Sequence, residues 1–196
     1  LRHILSLIRS ELTDAQDLLK RFLADPEAVR AIGDAAMSLA SALRNGRKII
    51  ACGNGGSLCD AMHFASELTG RFRQERPPLA ALALGDPAHL SCVGNDFSFA
   101  WVFERQVKAL GCPGDILIAL STSGRSENVL AAVEAAREMA LHVIALTGQD
   151  GGELGRLAHL EIRVPWMAHA DRIQEIHIKI LHVLVTAVED QLFGHR

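Results

Sequence analysis

The sequence predicts an α/β fold in three layers, a central parallel sheet with helices on both faces. Two observations carry this. From residue 47 onward, short apolar strands alternate with helical segments. Strands separated by helices pair in parallel and are covered on both sides. Two of these strands also run into ligand-type turns, Gly53-Asn54-Gly55-Gly56-Ser57 and Ser121-Thr122-Ser123-Gly124-Arg125-Ser126, each leading into a helix. Sites in parallel sheets lie at strand carboxyl ends, near the switch in strand order. The two turns can therefore face one cleft.

Each element has its own signal. Residues 3–24 place Ile4, Leu5, Ile8, Leu12, Leu18, Leu19, Phe22 and Leu23 at helical spacing. Asp25-Pro26 then starts a second helix, with Asp as N-cap and Pro in the first turn. It runs to Leu43, and Gly46 closes it. These helices make residues 1–46 an N-terminal extension of a single domain spanning 1–196. They exceed what a minimal α/β unit needs and offer surface to another subunit. Strands are expected at 48–52, 79–84, 115–120, 142–147 and 160–164. Helices are expected at 57–70, after Asp86-Pro87, at 126–139, briefly after Gly148–Gly152, and at 171–193.

Composition narrows the function classes. The chain has 196 residues, 49% of them hydrophobic, enough for one sizeable core. Net charge is −3, and no basic run marks a nucleic-acid surface. The longest apolar stretch, Ile176 to Val188, is interrupted by His177, Lys179 and His182. It is too short and too polar to span a bilayer. Cys52, Cys59, Cys92 and Cys112 show no CxxC pairing, and Cys52 falls in a strand expected to be buried. Free thiols and a cytoplasmic location follow. The opening Leu-Arg-His reads as no secretory leader, and the lack of an initiating Met reads as a trimmed start.

The turns point to a phosphorylated ligand. In the Ser121–Ser126 turn, hydroxyls and free backbone N–H groups gather at a helix start, where the dipole adds partial positive charge. The Gly53–Ser57 turn is neither a dinucleotide fingerprint nor a P-loop, and alone it reads equally as a tight strand-to-helix connection. Two such turns in one domain favour a phosphorylated ligand. His63 and Glu67 stand four apart, on one face of the helix after the glycine turn. They are either a solvated pair, two ligands of a divalent metal, or a ligand with a general base. On the last helix, Gln174 and His182 differ in direction by about 80° and can share a broad face. His177 and His182 differ by about 140° and cannot both enter one small site. Periodicity does not choose between them. Asn95-Asp96 falls between two helical patterns, as a capping Asp or as a contact to a sugar hydroxyl. Trp101 and Phe103 read as core, and Glu134 with Arg137 as a solvated pair. His3, His89, His142, His159, His169 and His195 read as ordinary histidines.

At these residues the chain resembles the sugar isomerase (SIS) domains and, more narrowly, the phosphoheptose isomerases. The resemblance rests on Cys52–Ser57, on Asp60–Arg71, on Ser91-Cys92-Val93-Gly94-Asn95-Asp96 and on the Ser121–Ser126 turn. It also rests on Ala145-Leu146-Thr147-Gly148 and on the run Ala170 to His177. It implies a flavodoxin-like sandwich and a homotetramer with sites at subunit interfaces. Ser121, Thr122, Ser123 and Ser126 would hold phosphate. Asn54, Gly55, Gly56, Ser57, Asn95 and Asp96 would contact the sugar, as would Glu67 and Gln174, with Asp171 orienting the site. His63, Glu67, Gln174 and His182 would surround one zinc ion per subunit, with Glu67 and His182 also the acid–base pair. The resemblance, and not periodicity, selects His182 over His177.

The implied reaction converts sedoheptulose 7-phosphate to D-glycero-D-manno-heptose 7-phosphate through an enediol. It would be the first step toward ADP-heptose and bacterial surface heptose, as in lipopolysaccharide. The departures Leu58 and Trp166-Met167-Ala168-His169 lie beside the motifs, where they could alter substrate fit. The competing reading is a non-catalytic SIS adaptor that binds the replication initiator protein. That group lacks the paired His and Glu on the first helix after the glycine turn, and this chain has both.

Overall fold

A computed structural model describes residues 1–194, so His195 lies outside the described residues. Five strands form one sheet: β1 (Ile49–Gly53), β2 (Ala81–Ala83), β3 (Ile116–Ser121), β4 (His142–Gly148) and β5 (Leu160–Val164). All neighbours pair in parallel, in the order β2-β1-β3-β4-β5. This is the doubly wound, flavodoxin-like arrangement, and its order switches between β1 and β3. Both ligand-type turns leave the sheet at that switch.

The strands are apolar on both faces because both faces are covered. Ile49, Ala51, Ile116, Ile118, Leu120, Ile144 and Leu146 enter one core with α2 (Pro26–Arg44), α3 (Gly56–Thr69) and α8 (Ala170–Phe193). Ile50, Cys52, Leu117, Ala119, Val143 and Ala145 enter the other. That second core is closed by α4 (Pro87–Asp96), α5 (Val102–Leu110), α6 (Glu127–Glu138) and α7 (Gly152–Leu157). Burial pushes the Cys52 thiol up to about 12, which makes it an inert core residue.

Helix ends follow their local chemistry. Asp25 accepts from the backbone N–H groups of Glu27 and Ala28, and Asp86 from that of His89. Each cap precedes a Pro at the first helical position, where no N–H is missed. A one-turn 3-10 helix, Phe99–Trp101, leads into α5. The two N-terminal helices behave differently. Helix α2 buries Ala35, Ala36, Leu39 and Ala40 and belongs to the sandwich. In α1 (Arg2–Leu23) only Leu18 and Phe22 are buried, while Ile4, Leu5, Leu7, Ile8 and Leu12 are exposed.

Two local expectations change. Trp101 is 45% exposed rather than core, because the 3-10 turn holds it at the surface, whereas Phe103 is buried. Asn95 and Asp96 close α4 from within, so Asp96 caps no following helix; Ser98 does that, accepting from the Ala100 N–H.

Ile118 is fully buried in the central strand. Ile118→Ala is expected to cost about 2–5 kcal/mol, read as a lower midpoint in urea denaturation with an unchanged slope.

Candidate active site

Helix α3 starts on the glycine turn and carries His63 and Glu67 one helical turn apart. Their side chains meet, with His63 Nε2 3.4 Å from Glu67 Oε1. Helix α8 runs beside it and supplies His182. The Nε2 atoms of His63 and His182 are 3.0 Å apart, with the rings edge to face. Phe72 packs against the His182 ring at 5.7 Å between centroids. One imidazole from α8 and one carboxylate from α3 therefore meet His63.

The two histidines of α8 face different surroundings. His177 is fully buried and points into the sheet, where its Nε2–H donates to the Thr147 carbonyl at 2.9 Å. Its Nδ1 has no partner among the described residues. Burial pushes its pKa down to about 4, partly opposed by the Thr147 carbonyl.

Gln174 lies one level nearer the start of both helices. Its Nε2 is 3.5 Å from Ser57 Oγ. A Cβ on Gly56 would come within 2.7 Å of Gln174 Oε1, so only glycine leaves the amide its place. Ser57 is buried at the first turn of α3. Asp60, also on α3, has a buried Oδ2 without a partner. Burial raises its pKa, and the nearby His63 works against that rise.

The hydroxyl turn is built as expected. Ser121 and Ser126 bond to each other through their hydroxyls at 3.0 Å, and Ser123 Oγ accepts from the Arg125 N–H. Thr122 and Ser123 are half-buried at the mouth. Ser126 is the N-cap of α6 but makes no side-chain cap bond, so the helix end keeps free donors. Gly124 has φ +64°, and a Cβ there would lie 2.0 Å from the Gly151 carbonyl. This turn is thus locked against the turn after β4. Arg125 spans the same two turns, bonding Asp150 at 2.6 Å and holding its carboxyl down at about 2.

One residue missed from the sequence joins the two turns. Asn128, buried in the first turn of α6, exchanges two amide hydrogen bonds of 2.8 Å with Asn54. Other expected positions stand apart. Asn95 and Asp96 are exposed and bond to each other, with Cys92 Sγ near Asp96. Asp171 is exposed and accepts from the backbone N–H of Arg172. Among the described residues, neither Asn95, Asp96 nor Asp171 bonds to His63, Glu67 or His182.

The donor chemistry fits a divalent metal such as zinc. Its ligands are imidazole nitrogen and carboxylate oxygen, and two ligands on a tetrahedral zinc sit about 3.4 Å apart. The His63–His182 and His63–Glu67 separations are 3.0 and 3.4 Å. Among the described residues, however, no three His, Cys, Asp or Glu side chains are closed into a ready cluster. His63 is the shared vertex of two matching edges.

The sequence pattern of the SIS domain family matches residues 12–148. The phosphoheptose isomerase of Tolumonas auensis is 52% identical over 95% of this chain and 97% of its own length. That of Vibrio cholerae is 53% identical over the same shares. The chain belongs to the phosphoheptose isomerase family of SIS domains. Solved phosphoheptose isomerases share its fold. The Neisseria gonorrhoeae structure has a TM-score of 0.89 at 39% identity, covering 95% of this chain and 99% of that one. The Francisella tularensis structure has a TM-score of 0.89 at 42% identity, covering 95% and 98%.

His177 gives a pH prediction. Its folded pKa, about 4, lies below the ordinary 6.5. The fold therefore binds fewer protons than the unfolded chain, and the contribution is present above pH 6.5. It is lost as pH falls toward 4, by up to about 3 kcal/mol. Denaturation midpoints from pH 7 to 4 should fall less steeply in His177→Gln than in the native chain.

Proposed function

We propose that this isomerase interconverts sedoheptulose 7-phosphate and D-glycero-D-manno-heptose 7-phosphate. The carrying observation is the meeting of His63, Glu67 and His182 along α3 and α8, with α3 starting at the same sheet edge as the Ser121–Ser126 turn. A chain of contacts connects them: Ser126 starts α6, Asn128 bonds Asn54, and Ser57 meets Gln174 at the head of α3 and α8.

Ser121, Thr122, Ser123 and Ser126 hold the phosphate, with the α6 N-terminus adding favourable charge. Asn54, Gly55, Gly56, Ser57, Asn95, Asp96, Gln174 and Asp171 orient the sugar. Binding at the phosphate, remote from C1, fixes the reactive end. Glu67 takes the proton from C1 and returns it to C2. His182 moves the balancing proton between O2 and O1. A zinc ion held by His63, Glu67, Gln174 and His182 would, when bound, polarise the sugar carbonyl. The reading as a replication-initiator adaptor has no such use for an acid–base pair. It also finds no support among the close relatives, which are named phosphoheptose isomerases.

The working form is a homotetramer in the cytoplasm that feeds lipopolysaccharide heptose. Supporting the assembly, α1 exposes apolar side chains over its first three turns, including Leu12 at 68%. Free Cys52, Cys59, Cys92 and Cys112 suit a reducing compartment. No described helix is long and apolar enough to cross a membrane.

The test is turnover of sedoheptulose 7-phosphate with zinc, followed by NMR. Wild type should make the heptose 7-phosphate; no turnover would reject the assignment. Glu67→Gln and His182→Ala should each lose about 10²–10⁴-fold in kcat. Full activity in Glu67→Gln would remove only its role as base. Ser123→Ala tests the anchor: one lost hydrogen bond should raise KM about fivefold, with metal affinity unchanged.

A further inference from the structure

We propose that Arg76 is a positioning residue for this site. It clamps the end of α3 to α8 through Glu189 and so sets where His63 and Glu67 meet His182. The inference rests on the isomerase reading for its consequence in catalysis, though not for its geometry.

Arg76 lies in the irregular connection between α3 and β2, yet its side chain is only 5% exposed. Its donors are committed in a definite pattern. Nη2 donates to the carbonyl of Glu67 at 2.7 Å, the backbone of the proposed base itself. Nη1 donates to the Leu68 carbonyl at 2.7 Å, with longer contacts to Gly70 and Pro77. The last carbonyls of a helix have no intrahelical partner, and a cation there also meets the negative end of the dipole. Nε donates to Glu189 Oε1 at 2.7 Å, and the Glu189 side chain is 15% exposed.

Glu189 is on α8, seven residues after His182. That places it about 20° around the helix from His182 and about 10 Å further along. The fork thus spans the same seam as the His63–His182 contact, two turns beyond it. A planar guanidinium with fixed donors resists sliding of one helix past the other in a way a single ammonium cannot. Gln174 against Gly56 pins the other end of the seam. His63, Glu67 and His182 lie between these two ties.

The phosphate anchor is on a different loop, so the clamp should act on kcat and metal affinity and leave KM nearly alone. Arg76→Gln and Arg76→Lys are compared with Glu189→Leu, which leaves the carbonyl contacts in place and unties only α8. Zinc affinity is measured by chelator competition, with kcat and KM read on the same folded fractions. Zinc binding at least tenfold weaker in Arg76→Gln, a similar fall in kcat and KM within threefold would support the clamp. Glu189→Leu should shift the same way by a smaller factor, and Glu189→Gln, which keeps an acceptor, should stay within threefold of wild type. Should Arg76→Gln fail to fold, Arg76→Lys and Glu189→Leu decide. Zinc affinity and kcat within twofold of wild type in the folded variants, even with lower melting temperatures, would overturn the proposal and leave Arg76 a helix cap. The metal readout is independent of turnover. A wild type that binds zinc without isomerising substrate would reject the isomerase reading, while a tenfold affinity difference would still support the clamp.

Discussion

The site depends on where α3 lies against α8. These two helices run side by side on one face of the sheet. Each carries part of the chemistry, and neither carries enough alone. The seam is tied at three levels: Gly56 and Ser57 against Gln174, His63 against His182, and the end of α3 against Glu189 through Arg76. Beneath it, the buried side chains Ala61, Phe64 and Leu68 of α3 join the same core as Ile176, Ile180, Leu181 and Leu184 of α8. The apolar core sets the approach of the helices, and the polar ties set their register.

The hydroxyl turn proposed to hold phosphate is built by different means. There the backbone does the work, because a turn packed against another turn leaves no freedom for the loop to wander. Gly124 against Gly151 and the Arg125–Asp150 bridge join the turns after β3 and β4. The Asn54–Asn128 amide pair joins the turns after β1 and β3. The proposed anchor is therefore tied to the turn from which α3, the helix of His63 and Glu67, begins, which suits a reaction that needs its substrate held in a fixed place.

The elements were legible because their signals are local. Asp25-Pro26 and Asp86-Pro87 announced helices that begin where capping chemistry requires. Strand β5 occupies the expected 160–164, and both ligand-type turns sit at strand ends. Asn128 was not legible, since an Asn in the first turn of an Ala-rich helix carries no mark of a partner 74 residues away. Arg76 was hidden for a related reason: a polar, Pro-flanked stretch reads as an exposed loop, and only its burial against two helices says otherwise. Trp101 failed as a core residue because one 3-10 turn, which periodicity does not resolve, returned it to the surface.

By itself, the sequence determined the layers, the parallel sheet, the phosphate-type turn and a His–Glu pair on one helical face. All of these follow from spacing within a single element or from alternation along the chain. Only the tertiary structure decided which histidine of α8 meets His63 and which is buried against the sheet. His177 and His182 share a helix, a residue type and an apolar setting. One points into the sheet and is kept neutral by burial against Thr147. The other meets His63 at 3.0 Å. The choice depends on how α8 is rotated over the sheet. That rotation is set by long-range packing of the core that α8 shares with α2 and α3 and not by any signal within the helix.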